Sequence, residues 1–180
     1  MPTVSNNTVF CIYSAATGRN NSVSGLSSFA AGDTNLLSAV ESIGLGYYNT
    51  LTKPRGYALG FYNVIKNPAG FAIGRNNTLE DANQDAEGTV LAFGQKNVVK
   101  NSHTIALGRN NLLINYNSHA FGTGLNSTVA NQTLLGLFND TSSTAPFVFG
   151  YGTEDARKNL ATIESDGTLR LAGHELKLNT

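Results

Sequence analysis

The sequence predicts an all-β chain, a parallel β-roll solenoid of about ten 14-residue coils. Three observations carry that expectation. Glycine stands at Gly18, Gly32, Gly46, Gly60, Gly74, Gly94, Gly108, Gly122, Gly136 and Gly150, every interval being 14 residues except the 20 between Gly74 and Gly94. Eight of these ten glycines have asparagine three residues later, at Asn21, Asn35, Asn49, Asn63, Asn77, Asn97, Asn111 and Asn139, with Leu125 and Thr153 as the exceptions. Ahead of each glycine the chain alternates apolar, small, apolar, which is the period of a β-strand.

Each coil then divides into elements. Three residues before the glycine stand Phe29, Ile43, Tyr57, Phe71, Leu91, Ile105 and Phe147, and one before it Leu45, Leu59, Ile73, Phe93, Leu107, Phe121, Leu135 and Phe149. Between them lies a small residue, as at Ala30, Ala58, Ala72, Ala92, Ala106 and Ala120. The glycine suits a turn that needs positive φ, and the asparagine column can form a ladder of side-chain amide hydrogen bonds. Five residues past the glycine a second strand is marked by Val23, Leu37, Leu51, Ile65, Leu79, Val99 and Leu113.

A 14-residue coil has a perimeter below about 46 Å even when fully extended, so it closes as a flattened two-sheet roll. Two or three large side chains per coil are expected inside. Stacked at ~4.8 Å, ten coils make a slab about 50 Å long whose thin core favours packing against copies of itself. The alanine column, small enough to admit a neighbouring layer, is the expected subunit contact. The 20-residue interval reads as one coil with a six-residue insertion at about 79–88.

Composition narrows the function. At 180 residues and 19.0 kDa the chain is one domain or one short array, and 12 basic residues balance 12 acidic ones. No net charge recruits nucleic acid or an anionic membrane, and no apolar run is long enough for membrane insertion. The lone Cys11 excludes an intramolecular disulfide framework and, within Val9–Tyr13, reads as a buried, inert thiol. No nucleophile elbow, HExxH pair or phosphate loop is present, so neither enzyme activity nor a cofactor is expected. Asp33 and Glu41 are the nearest approach to a carboxylate pair, and their spacing does not single them out.

Units such as Ser102-His103-Thr104-Ile105-Ala106-Leu107-Gly108, repeated at this period over residues 15–150, resemble the YadA-like head repeats of trimeric autotransporter adhesins. The resemblance implies a left-handed roll, a homotrimer and adhesion as the activity. Those adhesins also carry a signal peptide, a coiled-coil stalk and a membrane anchor, none of which is visible here. The stretch from Phe147 to Gly167 is similar to segments that follow such heads in phage and prophage tail proteins. Residues 1–150 therefore read as the repeat domain, and 151–180 as a capping or connecting β module with a two-residue hairpin turn at Asp166-Gly167. The expected function is a phage tail-fibre component in the virion that docks on a bacterial surface glycan or protein receptor and joins other tail proteins. The alternative is a fragment of a bacterial adhesin head that binds host surface or matrix.

Two groups of residues are candidate contacts. Tyr47, Tyr48, Phe61 and Tyr62 occupy the two positions after Gly46 and Gly60, where most other coils carry polar residues. Such a quartet can stack on sugar rings or fill a subunit interface. Glu80, Asp81, Asp85 and Glu87 concentrate acid in the insertion, either for a receptor or cation or as a plain surface bulge. The basic residues Arg19, Arg75 and Arg109 could meet an acidic glycan or be simply solvated. His103 and His119 fall in different columns, so no histidine metal ladder is expected.

Overall fold

A computed structural model of the chain describes residues 5–80 and 88–172. Among these residues there are strands and turns and no helix. The chain winds as a parallel β-solenoid of about ten coils. Each coil contributes a long strand of five or six residues, such as Ile43–Tyr47 or Gly70–Arg75, and a short strand of two or three, such as Leu36–Leu37 or Thr78–Glu80. Short strands stack into a nine-stranded sheet, and long strands stack into a twelve-stranded one.

Register is strict. Gly32 pairs with Gly46, Gly46 with Gly60, Gly60 with Gly74, and Gly94 with Gly108. Gly74 pairs with Gly94 in the same way, so the insertion leaves the ladder unshifted. From Gly18 to Gly136 the glycine column has positive φ, for example +119° at Gly60. A Cβ on Gly60 would overlap the carbonyl oxygen of Gly74, so the coils approach as closely as they do only because nothing projects there. Gly150 departs from positive φ, because the next strand leaves the parallel stack.

The asparagine ladder runs from Asn7 to Asn111. In each step the side-chain amide nitrogen donates to the Oδ1 of the previous coil's asparagine at 2.9–3.1 Å. The backbone N–H donates to that same oxygen at 3.0–3.2 Å. The amide also reaches the glycine carbonyl of the following coil, at 2.9–3.1 Å. Asn21 through Asn111 are all buried, and each is satisfied by these contacts. Asn7 joins although no glycine precedes it. Asn139 does not, because Leu125 has no amide to pass the ladder on. Instead Asn139 bonds the backbone of Asn126.

The core corrects the sequence reading. Ala30, Ala58, Ala72, Ala92, Ala106 and Ala120 point into the roll and are fully buried against Val23, Leu37, Leu51, Ile65, Leu79, Val99 and Leu113. Most coils place one large side chain inside, not two or three, and the coil with Val99 adds the fully buried Val90. The alanine column is therefore an internal spacer and not a subunit contact: two sheets this close leave no volume for large residues on both inner faces. Near the end, large and small exchange places. Ser127 takes the aliphatic position of the short strand, while Leu125 and Leu134 supply buried bulk beside it. Cys11 is half-buried, its Sγ donating to Ser24 O at 2.7 Å, and Phe10, Ile12 and Tyr13 around it are exposed, so it is not the buried thiol expected.

After the last parallel strand, Phe147–Tyr151, the chain reverses. Asn159–Ile163 pairs antiparallel with Phe147–Tyr151, and Leu169–Leu171 pairs antiparallel with Asn159–Ile163. The turn between them closes through Glu164 N–H to Thr168 O at 2.9 Å, so it spans three residues, Ser165 to Gly167, where two were expected.

Candidate functional site

Alternation on the long strands decides what the surface offers. With the alanines inside, the residues one and three before each glycine face outward. Leu45, Leu59, Ile73, Phe93 and Leu107 form one column, and Ile43, Tyr57, Phe71, Leu91 and Ile105 the other. All are half-buried by their neighbours in the stack, with Phe29 and Phe121 more exposed. Aromatic contacts run along this face, Tyr57 to Phe71 at 6.0 Å and Phe71 to Phe93 at 5.7 Å between ring centres. His119 interrupts it, with a buried Nδ1 that has no hydrogen-bond partner. A sheet face this apolar and this long is more than folded chains usually leave to water.

The corner from long strand to short strand borders that face and carries the aromatic quartet. Tyr47 pairs with Phe61 in the sheet register, and their rings stack at 5.8 Å and 25°. Tyr48 stacks on Tyr62 at 5.1 Å and 6°. The four are 43–52% exposed, so the two-by-two array stands on the surface and fills no cavity of its own chain. Tyr48 and Tyr62 hold φ of +53° and +57°, a conformation other coils give to Asn20, Thr34, Asn76, Lys96, Asn110 and Phe138. A bulky aromatic is disfavoured in this region of backbone space, and stacking of Tyr48 on Tyr62 offsets part of that cost.

Beside the array an open groove of about 760 Å³ is lined by Leu59, Phe61, Tyr62, Ile73, Arg75 and Gln95, with Gly60, Gly74 and Gly94 between them. One column carries Arg19, Asp33, Tyr47, Phe61, Arg75, Gln95 and Arg109 in consecutive coils. Arg19 Nε donates to Asp33 Oδ2 at 2.9 Å, and Thr34 Oγ1 donates to Oδ1 at 2.8 Å. The Arg19 hydrogen bond, with that of Thr34 after it, holds the Asp33 carboxyl below the ordinary carboxylate range.

The second candidate group lies elsewhere. Glu80 ends a short strand, past the aliphatic Leu79, and pairs with Lys66 at 3.3 Å. It is thus separated from the aromatic corner by the length of the short strand. Asp81, Asp85 and Glu87 lie outside the described residues. Glu41 sits at the far corner with φ of +54°, while Asp33 is tied to Arg19, so the two carboxylates are not brought together. His103 is likewise at the far corner and His119 on the apolar face.

Fold and surface define a β-solenoid repeat protein with one long apolar sheet face and an aromatic corner beside it. No protein-family model, curated protein or solved structure matches the chain.

Proposed function

We propose that the chain is a homotrimeric adhesion head of the YadA-like type, serving as a phage tail-fibre component that docks on a bacterial surface. The observation that carries this reading is the apolar outer face of the long-strand sheet. Its two columns of Leu, Ile, Phe and Tyr span most of a stack that is ~45 Å long at 4.8 Å per coil. Three copies that turn this face inward bury one another's apolar columns, with Ile43, Tyr57, Phe71, Leu91 and Ile105 innermost and Leu59 and Ile73 at the rim, beside the open corner groove. The internal core, with one aliphatic side chain and one alanine in most coils, is too thin to be the whole source of stability. The left-handed winding implied by the resemblance belongs to the same reading. So does a connecting role for residues 151–180 toward other tail proteins.

A trimer presents each surface feature three times, so weak contacts to a repetitive bacterial surface add up to avidity. Light scattering across a dilution series tests the assembly. A mass of three times 19.0 kDa that survives dilution is expected, and a stable monomer overturns the trimer. Binding of the fluorescent chain to a panel of bacterial cells tests the docking. Absence of saturable binding to any strain overturns the adhesion role.

A further inference from the structure

We infer that the corner from Tyr47 to Arg109 is a binding site for an acidic polysaccharide, laid along the solenoid axis with one sugar ring seated in the groove beside Phe61 and Tyr62. The inference deepens the adhesion reading by naming a ligand class, and it rests on that reading for its role on the cell surface.

Ring geometry comes first. Phe61 and Tyr62 each have one face covered by the ring of the preceding coil, Tyr47 and Tyr48. The opposite faces turn toward the next coil, which carries Arg75, and both residues line the groove. Among the described residues no cation covers either ring, the one such contact being Arg157 over Phe138. An apolar wall with open π faces accepts the C–H face of a sugar ring. The glycines at Gly60, Gly74 and Gly94 leave the groove without side chains at three successive coils, so a polymer backbone can approach the sheet.

Charge then selects the ligand. The three coils after the aromatic array each add one exposed cation to this corner, Arg75, Lys96 and Arg109. None of the three makes an ion pair among the described residues, and the corner from Tyr47 to Asn110 holds no acid. The acid found in the column one coil earlier, Asp33, is already neutralised by Arg19. A chain of zero net charge thus keeps a local line of three positive groups with no acidic partner among the described residues. Arg75 borders the groove, where its fork suits a carboxylate on the seated ring. Lys96 and Arg109 follow at ~4.8 Å per coil, so the line fits an extended anionic polymer better than a lone sugar. Gln95 and Asn76 add amide groups for hydroxyls. Single-stranded nucleic acid is the poorer fit, because the aromatic rings stack on one another and leave no slots between them for successive bases.

The test uses the full chain and biolayer interferometry with immobilised polygalacturonate, hyaluronate, dextran and poly(dT). Tyr62→Asn and Arg75→Gln are suitable variants because asparagine and glutamine occupy these columns in other coils, and an unchanged melting curve confirms that they fold. Salt-sensitive binding to at least one acidic glycan is expected, weakened roughly tenfold or more by either variant, with dextran unbound. The assignment is overturned by equal binding to dextran, by tighter binding to poly(dT), by no binding to either acidic polymer, or by binding that both variants leave intact. Light scattering on the same samples separates the two readings. A monomer that binds acidic glycan overturns the trimer alone, and a trimer that binds none overturns the glycan site alone.

Discussion

Asn49 Oδ1 accepts two hydrogen bonds from Asn63, one from the backbone N–H at 3.1 Å and one from the side-chain amide at 3.0 Å. The same amide of Asn63 reaches forward to Gly74 O at 3.1 Å. One side chain therefore ties three coils together. Asn63→Ala removes the acceptor of the Asn77 backbone N–H and side-chain amide and the donor to Gly74 O, while Asn49 Oδ1 keeps the backbone N–H of residue 63, at about 3 kcal/mol in total. Urea unfolding should show the midpoint fall with the slope unchanged. A loss below about 0.5 kcal/mol would mean the ladder follows from the fold and does little to hold it.

Two glycines separate backbone freedom from close approach. Gly60 has φ of +119° and a virtual Cβ that strikes Gly74, whereas Gly167 has φ of +86° and open space around it. Gly167→Ala should cost about 1 kcal/mol, from conformation alone. Gly60→Ala must also push two coils apart, and its melting temperature should fall by several times as much. Equal losses would show that φ, and not coil spacing, fixes the glycine column.

The inner and outer faces of the long strand respond differently to mutation. Ala72→Leu overfills a fully buried position opposite the aliphatic ladder and should cost about 1–3 kcal/mol. Leu107→Glu, on the outer face, should leave the circular dichroism spectrum of the chain intact while lowering its mass in light scattering to that of a monomer. Retention of the larger mass by Leu107→Glu would place the subunit contact elsewhere.

Acid should loosen the first coils before the rest. The Asp33 carboxyl is held low by Arg19 and then Thr34, so its contribution is complete above the ordinary carboxylate pKa of about 3.9. It fades as pH falls through the lower folded value. Amide exchange around residues 18–36 should therefore rise steeply in strong acid, and Asp33→Asn should show the faster exchange already at neutral pH with no such acid step. An identical pH profile in the variant would remove Asp33 from the account.

Much of the fold was legible because each coil obeys the same backbone constraint. Gly60 needs positive φ for the same reason as Gly46, and Asn63 bonds Asn49 as Asn49 bonds Asn35, so the period alone locates both columns. Which side of the long strand faces inward was not legible. Alternation at Phe71-Ala72-Ile73 fixes two faces and does not label them, and hydrophobicity alone favours the wrong choice. The clue was the uniformity of the small column, since a position that tolerates only Ala or Gly through most coils is the tightest place in the structure. The aromatic quartet could be placed at a corner from its spacing. Its stacking, and the groove opened by the three glycines beside it, depend on side-chain directions and on the distance between coils, which spacing does not contain. Asn139 shows the limit of counting columns: it has the right number and the wrong neighbour.

Six extra residues between Leu79 and Val90 leave Asn97 bonded to Asn77 at 3.1 Å, as tightly as any other step. Distance along the solenoid axis is thus uncoupled from distance along the sequence. Coil number alone sets how far one end stands from the other. The far corner works as a splice point, where sequence can be added or exchanged without moving anything above or below it. A lineage under pressure to change what it touches can rewrite that corner while the reach of the rod stays constant.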